Sequence, residues 1–201
     1  MSLWLAHQPL VLASKSAARR TMLAAAGIPV EIAPADIDER AVEQEAGDGA
    51  GSVAALLARE KARAVAIGHP GRLVVGADQT LALPDRRFSK PANRIEARTQ
   101  LQALRGRTHV LHSAVAVVRD GELLFEAGDA ARLTMRDFSD AFLDAYLDVT
   151  GASATESVGG YQLERTGIQL FAQVDGDHFT ILGLPLLPLL SFLRSAGTLA
   201  A

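Results

Sequence analysis

The 201-residue sequence contains no cysteine, few aromatic residues and no excess of positive charge. Without cysteine there are no disulfides, no thiolate metal ligands and no cysteine nucleophile. Phenylalanine, tyrosine and tryptophan make up 5% of the chain, too few to indicate a platform that stacks the bases of a single strand. The formal net charge of −3 disfavours binding to long nucleic acids, because such proteins present a strongly basic face.

Long apolar runs and targeting signals are also missing. The most apolar stretch, 179–193, is shorter than the roughly 18 residues of a membrane span, and Pro185 and Pro188 interrupt it. Near the start of the chain the basic residues follow the apolar run, which is the reverse of a signal peptide. Hydrophobic residues make up 49% of the chain, which excludes a disordered protein. We therefore expect a soluble protein with its own hydrophobic core.

The elements that the sequence predicts change in character along the chain. Strands alternate with helices in the first half, whereas hairpins dominate the second half. One predicted hairpin joins strands at 168–174 and 178–182 through Asp175-Gly176. This order predicts an α/β fold with a mixed sheet and flanking helices. No shift in composition marks a boundary, so residues 1–201 are expected to form a single domain.

The first candidate site lies where a predicted strand at 9–13 leads into a helix. Ser14, Lys15 and Ser16 join the two elements, with Ser16 as the expected N-cap. Free N–H groups at a helix N-terminus bind anions, phosphates in particular. Lys15 and Arg19 would add positive charge, and the planar guanidinium of Arg19 suits phosphate oxygens. A Walker pattern is absent, and a plain cap with two solvated basic residues is an equal alternative on spacing alone.

Acidic residues provide the second candidate site. Asp78 follows the apolar run 73–75, and α/β folds place catalytic groups beyond the ends of such strands. It would ligate a metal or act as a general base there. Asp36, Asp38 and Glu39 offer oxygen ligands for a hard cation such as Mg²⁺. Spacing alone favours the alternatives, which are a surface turn for Asp78 and a solvated face for the upstream acids.

Lysines and histidines do not identify a site by themselves. Lys61 lies in a predicted helix, where a solvated position is the default, and Lys90 lies in a stiff loop before Pro91. His109 and His112 point to opposite faces of a predicted strand, so they cannot chelate one metal. The sequence holds no HExxH, GxSxG or GxGxxG pattern. The sequence therefore lacks the main motif of a zinc hydrolase, of a serine hydrolase and of a dinucleotide-binding protein.

Together these segments resemble the Maf proteins, nucleoside triphosphate pyrophosphatases once described as septum-formation inhibitors. The stretch LASKSAARR at 12–20 is similar to the LASxSPRR signature that opens the family. Further matches follow in the family's order at Asp36–Glu39, Leu57–Ala62, Gly76–Gln79, Ser89–Pro91, Leu104–His109, Gly159–Tyr161 and 176–185. Each match is weak alone, but their order along the whole chain is specific.

The resemblance implies an elongated α/β fold similar to that of inosine triphosphate pyrophosphatase, with two lobes around a cleft. It also implies a cytoplasmic homodimer that hydrolyses a nucleoside triphosphate to the monophosphate and pyrophosphate with a divalent cation. Since the chain has no cysteine, metal ligation falls to oxygen, which favours Mg²⁺ or Mn²⁺ over zinc. The positions that match the family's functional residues are Ser14, Arg19, Glu39, Lys61, Asp78 and Lys90.

Each matching residue then has an expected role. Asp78 would act as the general base, with Glu39 as a second carboxylate, and both would ligate the cation. Lys90 is expected among the catalytic residues. The triphosphate would be held by the N–H groups after Ser14 and by the side chains of Lys15, Arg19, Lys61 and Lys90.

In the family, three positions sort subgroups by base, and here they are Ala18, Gln79 and Glu164. Gln79 and Glu164 resemble the branch that acts on 7-methyl-GTP, in which glutamate would accept from guanine N–H groups. The branch that acts on dTTP and UTP tends to carry glutamine at the loop position, and Ala18 fits neither branch. We expect a guanine-like base, with dTTP or UTP as the alternative.

Functions of other classes remain open on the sequence. The main one is a regulator of cell division that binds nucleotides without turnover, although a pure binder needs no general base. A phosphatase that releases inorganic phosphate is another, and a nucleic-acid-binding module is disfavoured by the acid excess. The expected partner is a nucleoside triphosphate, with neither a stable nucleic-acid complex nor a membrane.

Overall fold

A computed structural model describes residues 3–47 and 49–201 of the chain. In chain order its elements are β1 (Leu10–Leu12), α1 (Ala17–Ala25), β2 (Val30–Ile32), α2 (Glu39–Glu45), α3 (Ala50–Ala66), β3 (Val74–Leu83), β4 (Arg86–Phe88), α4 (Arg94–Leu104), β5 (Thr108–Arg119), β6 (Glu122–Met135), α5 (Asp140–Thr150), β7 (Phe171–Asp175), α6 (His178–Ile181) and α7 (Leu186–Ser195). Short 3₁₀ turns lie between α5 and β7. Over the described ranges, no helix combines the length and the hydropathy that a bilayer crossing requires.

The strands form a seven-stranded mixed sheet in the order β2-β1-β3-β5-β6-β7, with β4 paired to β3. Strand β1 pairs in parallel with both β2 and β3, so that Leu12 lies opposite Ile32 on one side and Val75 on the other. Strands β4 and β7 run antiparallel to β3 and β6. The predicted α/β fold with a mixed sheet and flanking helices is confirmed.

The described residues group into two compact units. Unit 1 holds those of Met1–Gln79, His112–Asp129 and His178–Ala201, and unit 2 holds Thr80–Leu111 and Ala130–Asp177. The expectation of a single domain over 1–201, with two lobes around a cleft, stays a prediction, and its positions 1, 2 and 48 lie outside the described residues.

The core of unit 1 surrounds the parallel strands β1 and β3, which are buried on both faces. Leu10 and Leu12 pack in one cluster with side chains of α1 and α7, among them Leu23 and Leu189. Val11 points the other way and packs in a second cluster with the alanines of α3. Buried strands of this kind are typical of parallel sheets, which helices cover from both sides. The result is that α1 and α3 lie on opposite faces of the β1–β3 pair.

The core of unit 2 contains a buried histidine. His109 is 0% exposed, and its Nε2 lies 2.7 Å from the hydroxyl of Tyr161. Burial lowers the pKa of His109 from 6.5 to about 4, and burial also raises the pKa of the Tyr161 phenol above its ordinary value. His109 is therefore neutral at physiological pH and serves the core of unit 2.

Two expectations about strands are wrong. Residues His178–Ile181 form the short helix α6 rather than a strand, and β7 pairs with β6. The dipeptide Asp175-Gly176 does not form the predicted hairpin turn. Gly176 instead lies against β6, where a Cβ on it would lie 2.5 Å from the Cβ of Ala131. Glycine therefore permits a close approach to β6 at this point. Strand β3 continues to Leu83, so Asp78 lies within a strand rather than beyond its end.

Candidate active site

The candidate site lies in unit 1, where α2 and α3 meet the middle of β3. Lys61 Nζ lies 2.6 Å from Oδ1 of Asp78 and 2.9 Å from Oε1 of Glu39. Lys61 and Asp78 are each 8% exposed, whereas the side chain of Glu39 is 53% exposed. One ammonium group thus bridges two carboxylates, one of them buried and the other open to solvent.

A glycine in β3 brings α3 close enough for this contact. A Cβ on Gly76 would lie 1.9 Å from the carbonyl oxygen of Ala58 and 2.7 Å from the backbone nitrogen of Ala62. A larger residue cannot occupy that space, so the helix packs directly on the strand. Asp78 lies two residues beyond Gly76 and shares its face of β3, which is the face that Lys61 approaches.

Among the upstream acids, the structure places Glu39 at the site and gives Asp38 a local role. Asp38 is the N-cap of α2, and its Oδ1 accepts from the N–H groups of Arg40 at 3.1 Å and Ala41 at 3.2 Å. Such a cap typically stabilises a helix by about 1 kcal/mol. It fixes the turn that presents Glu39 to Lys61, whereas Asp36 is exposed.

The turn between β1 and α1 has the geometry that the sequence predicts. Ser16 is the N-cap of α1 and accepts from the N–H of Arg19 at 3.4 Å. Ser14 Oγ accepts from the N–H of Ser16 at 3.2 Å, and Lys15 is exposed beside it. A strand that leads into a capped helix N-terminus directs backbone N–H groups and the positive end of the helix dipole outward. The local arrangement is suited to an anion.

Arg19 is buried rather than solvated. Its Nε donates to the carbonyl oxygen of Gly183 at 2.8 Å, and its Nη1 donates to the carbonyl oxygen of Ala77 at 2.8 Å and to Ser14 Oγ at 3.0 Å. Burial lowers the pKa of Arg19 from its ordinary value, and the charges of Asp78 and Glu39 oppose that shift. The guanidinium therefore supplies a fixed positive charge behind the site.

Gln79 faces away from the Lys61–Asp78 pair, because successive side chains of a strand point to opposite faces. Its Nε2 lies 3.0 Å from Ser113 Oγ, 3.1 Å from the carbonyl oxygen of Thr180 and 2.9 Å from the carbonyl oxygen of Ile181. The amide hydrogens of Gln79 are therefore directed to partners within unit 1.

Two residues predicted for the site belong to unit 2. Lys90 is exposed between β4 and α4, and Glu164 is exposed in the turn that follows Tyr161. Their roles stay predictions. In unit 1 the structure brings together Ser14, Arg19, Glu39, Lys61 and Asp78 through hydrogen bonds, ion pairs or the charges that act on Arg19.

Sequence reasoning missed the polar groups behind the site. Ser113 is 1% exposed and Thr180 is also 1% exposed. The available signal for Ser113 was a hydroxyl directly before the apolar run 114–118. Apart from the hydroxyl groups of Ser14 and Ser113, the partners of Arg19 and Gln79 are backbone carbonyl groups, which leave no trace in the sequence.

The donors at the site fit a hard divalent cation in their chemistry. Asp78 and Glu39 both direct a carboxylate oxygen at one positive charge, the Nζ of Lys61. Among the residues that the structure describes, no group of three or more acidic, histidine or cysteine side chains converges on a point. Magnesium commonly takes one or two carboxylates and completes its coordination with substrate phosphates and water. The two carboxylates are compatible with that mode.

Known proteins similar to this chain match it over nearly its full length. It is 61% identical over 201 residues to a nucleoside triphosphate pyrophosphatase of Rhodopseudomonas palustris and 55% identical over 201 residues to one of Nitrobacter winogradskyi, with 100% of both chains covered in each case. It is 49% identical to a 7-methyl-GTP pyrophosphatase of Mesorhizobium japonicum over 195 residues, which are 96% of this chain and 98% of the other.

Among solved structures, a HAM1 protein from Coxiella burnetii matches with a TM-score of 0.43 and 18% identity, over 63% of this chain and 72% of that one. The model of the family described as Maf-like protein matches residues 9–196, which include every residue of the candidate site. The family expected from the ordered motifs is therefore confirmed, and this chain belongs to the Maf-like proteins.

Proposed function

We propose that this protein is a nucleoside triphosphate pyrophosphatase, a hydrolase that converts a nucleoside triphosphate to the monophosphate and pyrophosphate. The observation that carries the proposal is the buried Asp78 carboxylate, paired with Lys61 and joined through it to Glu39. Relatives that cover the whole chain and bear this activity in their names support it. A protein that only binds nucleotides has no need of such a buried charged group.

The reaction requires a base and a means of holding negative charge. Water adds to one of the two phosphorus atoms that share the α,β-bridging oxygen, the bond from that phosphorus to the bridging oxygen breaks, and the monophosphate and pyrophosphate separate. The attacking water gives a proton to Asp78, which we assign as the general base. Glu39 is its second carboxylate.

Lys61 keeps the two carboxylates close together before substrate arrives. Its single positive charge lies within hydrogen-bonding distance of both, so it offsets their mutual repulsion. The same ammonium can turn one of its donors to a phosphate oxygen, because lysine carries three donors on a flexible stem. The phosphate oxygens of the substrate and the two carboxylates thus compete for the ammonium group of Lys61.

A divalent cation, Mg²⁺ or Mn²⁺, would be held by Asp78 and Glu39. When bound, such an ion neutralises phosphate oxygens and lowers the pKa of a coordinated water. Because the triphosphate and the two carboxylates are all negatively charged, the cation would offset their repulsion.

The triphosphate would contact the start of α1, where it would meet Ser14, Lys15 and the backbone N–H groups of the first turn other than that of Arg19, which donates to Ser16 Oγ. Of the guanidinium of Arg19, Nε and Nη1 already donate within unit 1, so a phosphate contact falls to Nη2. Lys90 completes the proposed set of catalytic and phosphate-binding cations.

A guanine-like base, such as that of 7-methyl-GTP, is the proposed preference. Glu164 would accept hydrogen bonds from the guanine N–H groups, and the 7-methyl-GTP pyrophosphatase among the relatives supports this choice. We further propose that the enzyme acts as a cytoplasmic homodimer on free nucleotides, in the removal of non-standard nucleotides.

The test is a substrate panel with product identification. Purified protein is supplied with Mg²⁺ or Mn²⁺ and with 7-methyl-GTP, GTP, dTTP, UTP and CTP in turn. We expect monophosphate and pyrophosphate, with the highest kcat/KM for 7-methyl-GTP. A strong preference for dTTP would overturn the proposed base, inorganic phosphate would indicate a phosphatase, and binding without product would indicate a regulator.

A further inference from the structure

The turn that carries Glu164 begins at Tyr161, whose side chain lies in the core of unit 2. The Tyr161 hydroxyl lies 2.7 Å from Nε2 of His109, and the two residues are 5% and 0% exposed. The carbonyl oxygen of Tyr161 accepts from the hydroxyl of Ser157. The Tyr161 ring also packs edge-on against Phe171, with the ring centroids 4.8 Å apart. Tyr161 is therefore held both at its side chain and at its backbone.

A second buried phenol holds the residues just before Tyr161. Tyr146 in α5 donates from its hydroxyl to the carbonyl oxygen of Gly160 at 3.1 Å. The N–H of Gly159 donates to Oε1 of Gln100 in α4 at 3.2 Å. Gly159 and Gly160 have φ values of +80° and +76°, which let the chain turn sharply between these two contacts. Helices α4 and α5 thus fix the segment that leads into the turn.

Residues 162–165 form a closed turn that contains Glu164. The carbonyl oxygen of Gln162 accepts from the N–H of Arg165 at 3.2 Å. Gly167 packs against the same peptide group, because a Cβ there would overlap that carbonyl oxygen. The side chain of Glu164 is exposed, so the backbone of this turn determines where its carboxylate can reach.

We propose that Tyr161 is a positioning residue for Glu164, and that its buried contact with His109 thereby contributes to the choice of base. The proposal rests on the proposed function, in which Glu164 accepts from the N–H groups of guanine, and it deepens that assignment. The phenols of Tyr161 and Tyr146 lie on the buried side of the segment, whereas Glu164 lies on its exposed side. A displacement of the backbone at Tyr161 therefore moves the carboxylate of Glu164 without altering its chemistry.

The position of the Glu164 carboxylate matters more for guanine than for the other bases. Guanine presents two neighbouring donors on one edge, N1–H and the 2-amino group. A carboxylate accepts from both only when its two oxygens are aligned with that edge. Uracil and thymine present a single N–H between two carbonyl oxygens, so they offer no second donor to align. A shifted turn should therefore weaken the binding of guanine nucleotides selectively.

Removal of the Tyr161 hydroxyl should shift the turn and leave the reaction itself unchanged. Tyr161→Phe keeps the ring that packs on Phe171, but Nε2 of His109 loses its partner. An unpaired polar group in a core is costly, so the segment at Tyr161 relaxes to reduce that cost. The general base Asp78 belongs to unit 1, and its contacts there stay as they are. The expected signature is a higher KM for guanine nucleotides with an unchanged kcat.

The first test measures kcat and KM of Tyr161→Phe for 7-methyl-GTP, GTP, dTTP and UTP. We expect KM for 7-methyl-GTP and GTP to rise about 10-fold, which corresponds to one hydrogen bond to a charged group. For dTTP and UTP, and for kcat with every nucleotide, we expect changes within about twofold. Tyr146→Phe should act in the same direction but more weakly, because it releases only the carbonyl of Gly160.

A double-mutant cycle with Glu164→Ala distinguishes positioning from a general loss of structure. Alone, Glu164→Ala should lower the ratio of kcat/KM for 7-methyl-GTP to that for UTP by more than Tyr161→Phe does. In the Glu164→Ala background, Tyr161→Phe should leave this ratio unchanged, because the carboxylate that it positions is gone. Ser139→Ala, which removes the cap of α5 in unit 2, is the control for lower stability alone and should leave the ratio unchanged.

Three outcomes would overturn the positioning role. They are an unchanged base ratio in Tyr161→Phe, an equal change of that ratio with and without Glu164, and an equal loss of kcat for all four nucleotides. If Tyr161→Phe does not fold, Tyr146→Phe is judged by the same criteria. An unchanged ratio in Glu164→Ala would remove the proposed base assignment and this inference with it. A changed ratio in Glu164→Ala beside an unchanged one in Tyr161→Phe would remove the positioning role alone.

Discussion

Lys61 and Asp78 form a buried ion pair in which Nζ lies 2.6 Å from Oδ1, and Glu39 approaches the same ammonium from the solvent side at 2.9 Å. The pair exists because Gly76 has no side chain, which lets α3 lie directly on β3. The chemistry proposed for this protein depends on these residues, and each can be tested by itself.

The first prediction concerns Asp78→Asn, which preserves the shape of the side chain and removes its basicity. We expect kcat to fall about 10²- to 10⁴-fold, the usual loss for a general base. Nucleotide binding should persist, because the groups assigned to the triphosphate are unchanged. Pyrophosphate release and calorimetric titration with a nucleotide measure the two properties, and loss of binding in parallel with turnover would contradict the assignment.

The second prediction concerns Lys61→Met, which leaves Asp78 buried without its partner. Removal of one member of a buried pair costs about 3–5 kcal/mol. The cost is lower here because the exposed side chain of Glu39 leaves one side of the pair open to solvent. We expect a loss of about 2 kcal/mol, which lowers Tm by about 4–8 °C for a chain of this size. Thermal unfolding measures it. Asp78→Asn combined with Lys61→Met should recover part of the loss, and an unchanged Tm in the single variant would show that the pair contributes nothing.

Gly76→Ala is the third prediction, and it tests the close packing of α3 on β3. The new methyl group would overlap the carbonyl oxygen of Ala58, so the helix has to move. We expect a loss of at least about 3 kcal/mol in the free energy of unfolding, at the upper end for overpacking. Gly68→Ala is the matched control, because its nearest neighbour is 3.8 Å away and its change should stay within about 1 kcal/mol. Equal stabilities for the two variants would refute the close approach.

The fourth prediction concerns His109 and the dependence of stability on pH. Burial lowers the pKa of His109 to about 4 in the folded state, whereas the unfolded chain binds the proton near pH 6.5. Between these values the unfolded state holds more protons. Stability is therefore fully present above about pH 6.5 and falls as the pH decreases toward 4, by up to about 3 kcal/mol.

Denaturant unfolding between pH 4 and 8 measures this slope, with His109→Phe as the comparison. The variant loses the contact with Tyr161 and is less stable at neutral pH, yet its stability should depend less on pH over that interval. Parallel curves for the two proteins would mean that His109 does not titrate as described.

Local signals in the sequence predicted the capped and turning positions well, because their chemistry lies within a few residues. Ser16 caps α1 as expected. Asn93 and Asp120-Gly121 are signals of the same local kind, because Asn93 caps α4 and Asp120-Gly121 joins β5 to β6 with positive φ at both residues. Local signals did not predict the helix at His178–Ile181. Its carbonyl groups are held by Gln79, a contact between residues about a hundred positions apart.

In the candidate site, too, the sequence predicted the residues but not all of their contacts. The ordered motifs singled out Glu39, Lys61 and Asp78, and the structure brings them together. The sequence did not show that Arg19 is turned inward, because two of its partners are main-chain carbonyls. A polar stretch after an apolar run also suggested that β3 ends early, whereas a glycine and a paired aspartate allow the strand to continue.

The most direct test of the account is the identity and ratio of the products that the unsubstituted protein and Asp78→Asn form from 7-methyl-GTP. Phosphorus NMR resolves monophosphate, pyrophosphate and inorganic phosphate in one sample with Mg²⁺. We expect equal amounts of monophosphate and pyrophosphate from the unsubstituted protein and almost no product from Asp78→Asn. Inorganic phosphate as the first product, or equal rates for the two proteins, would contradict it.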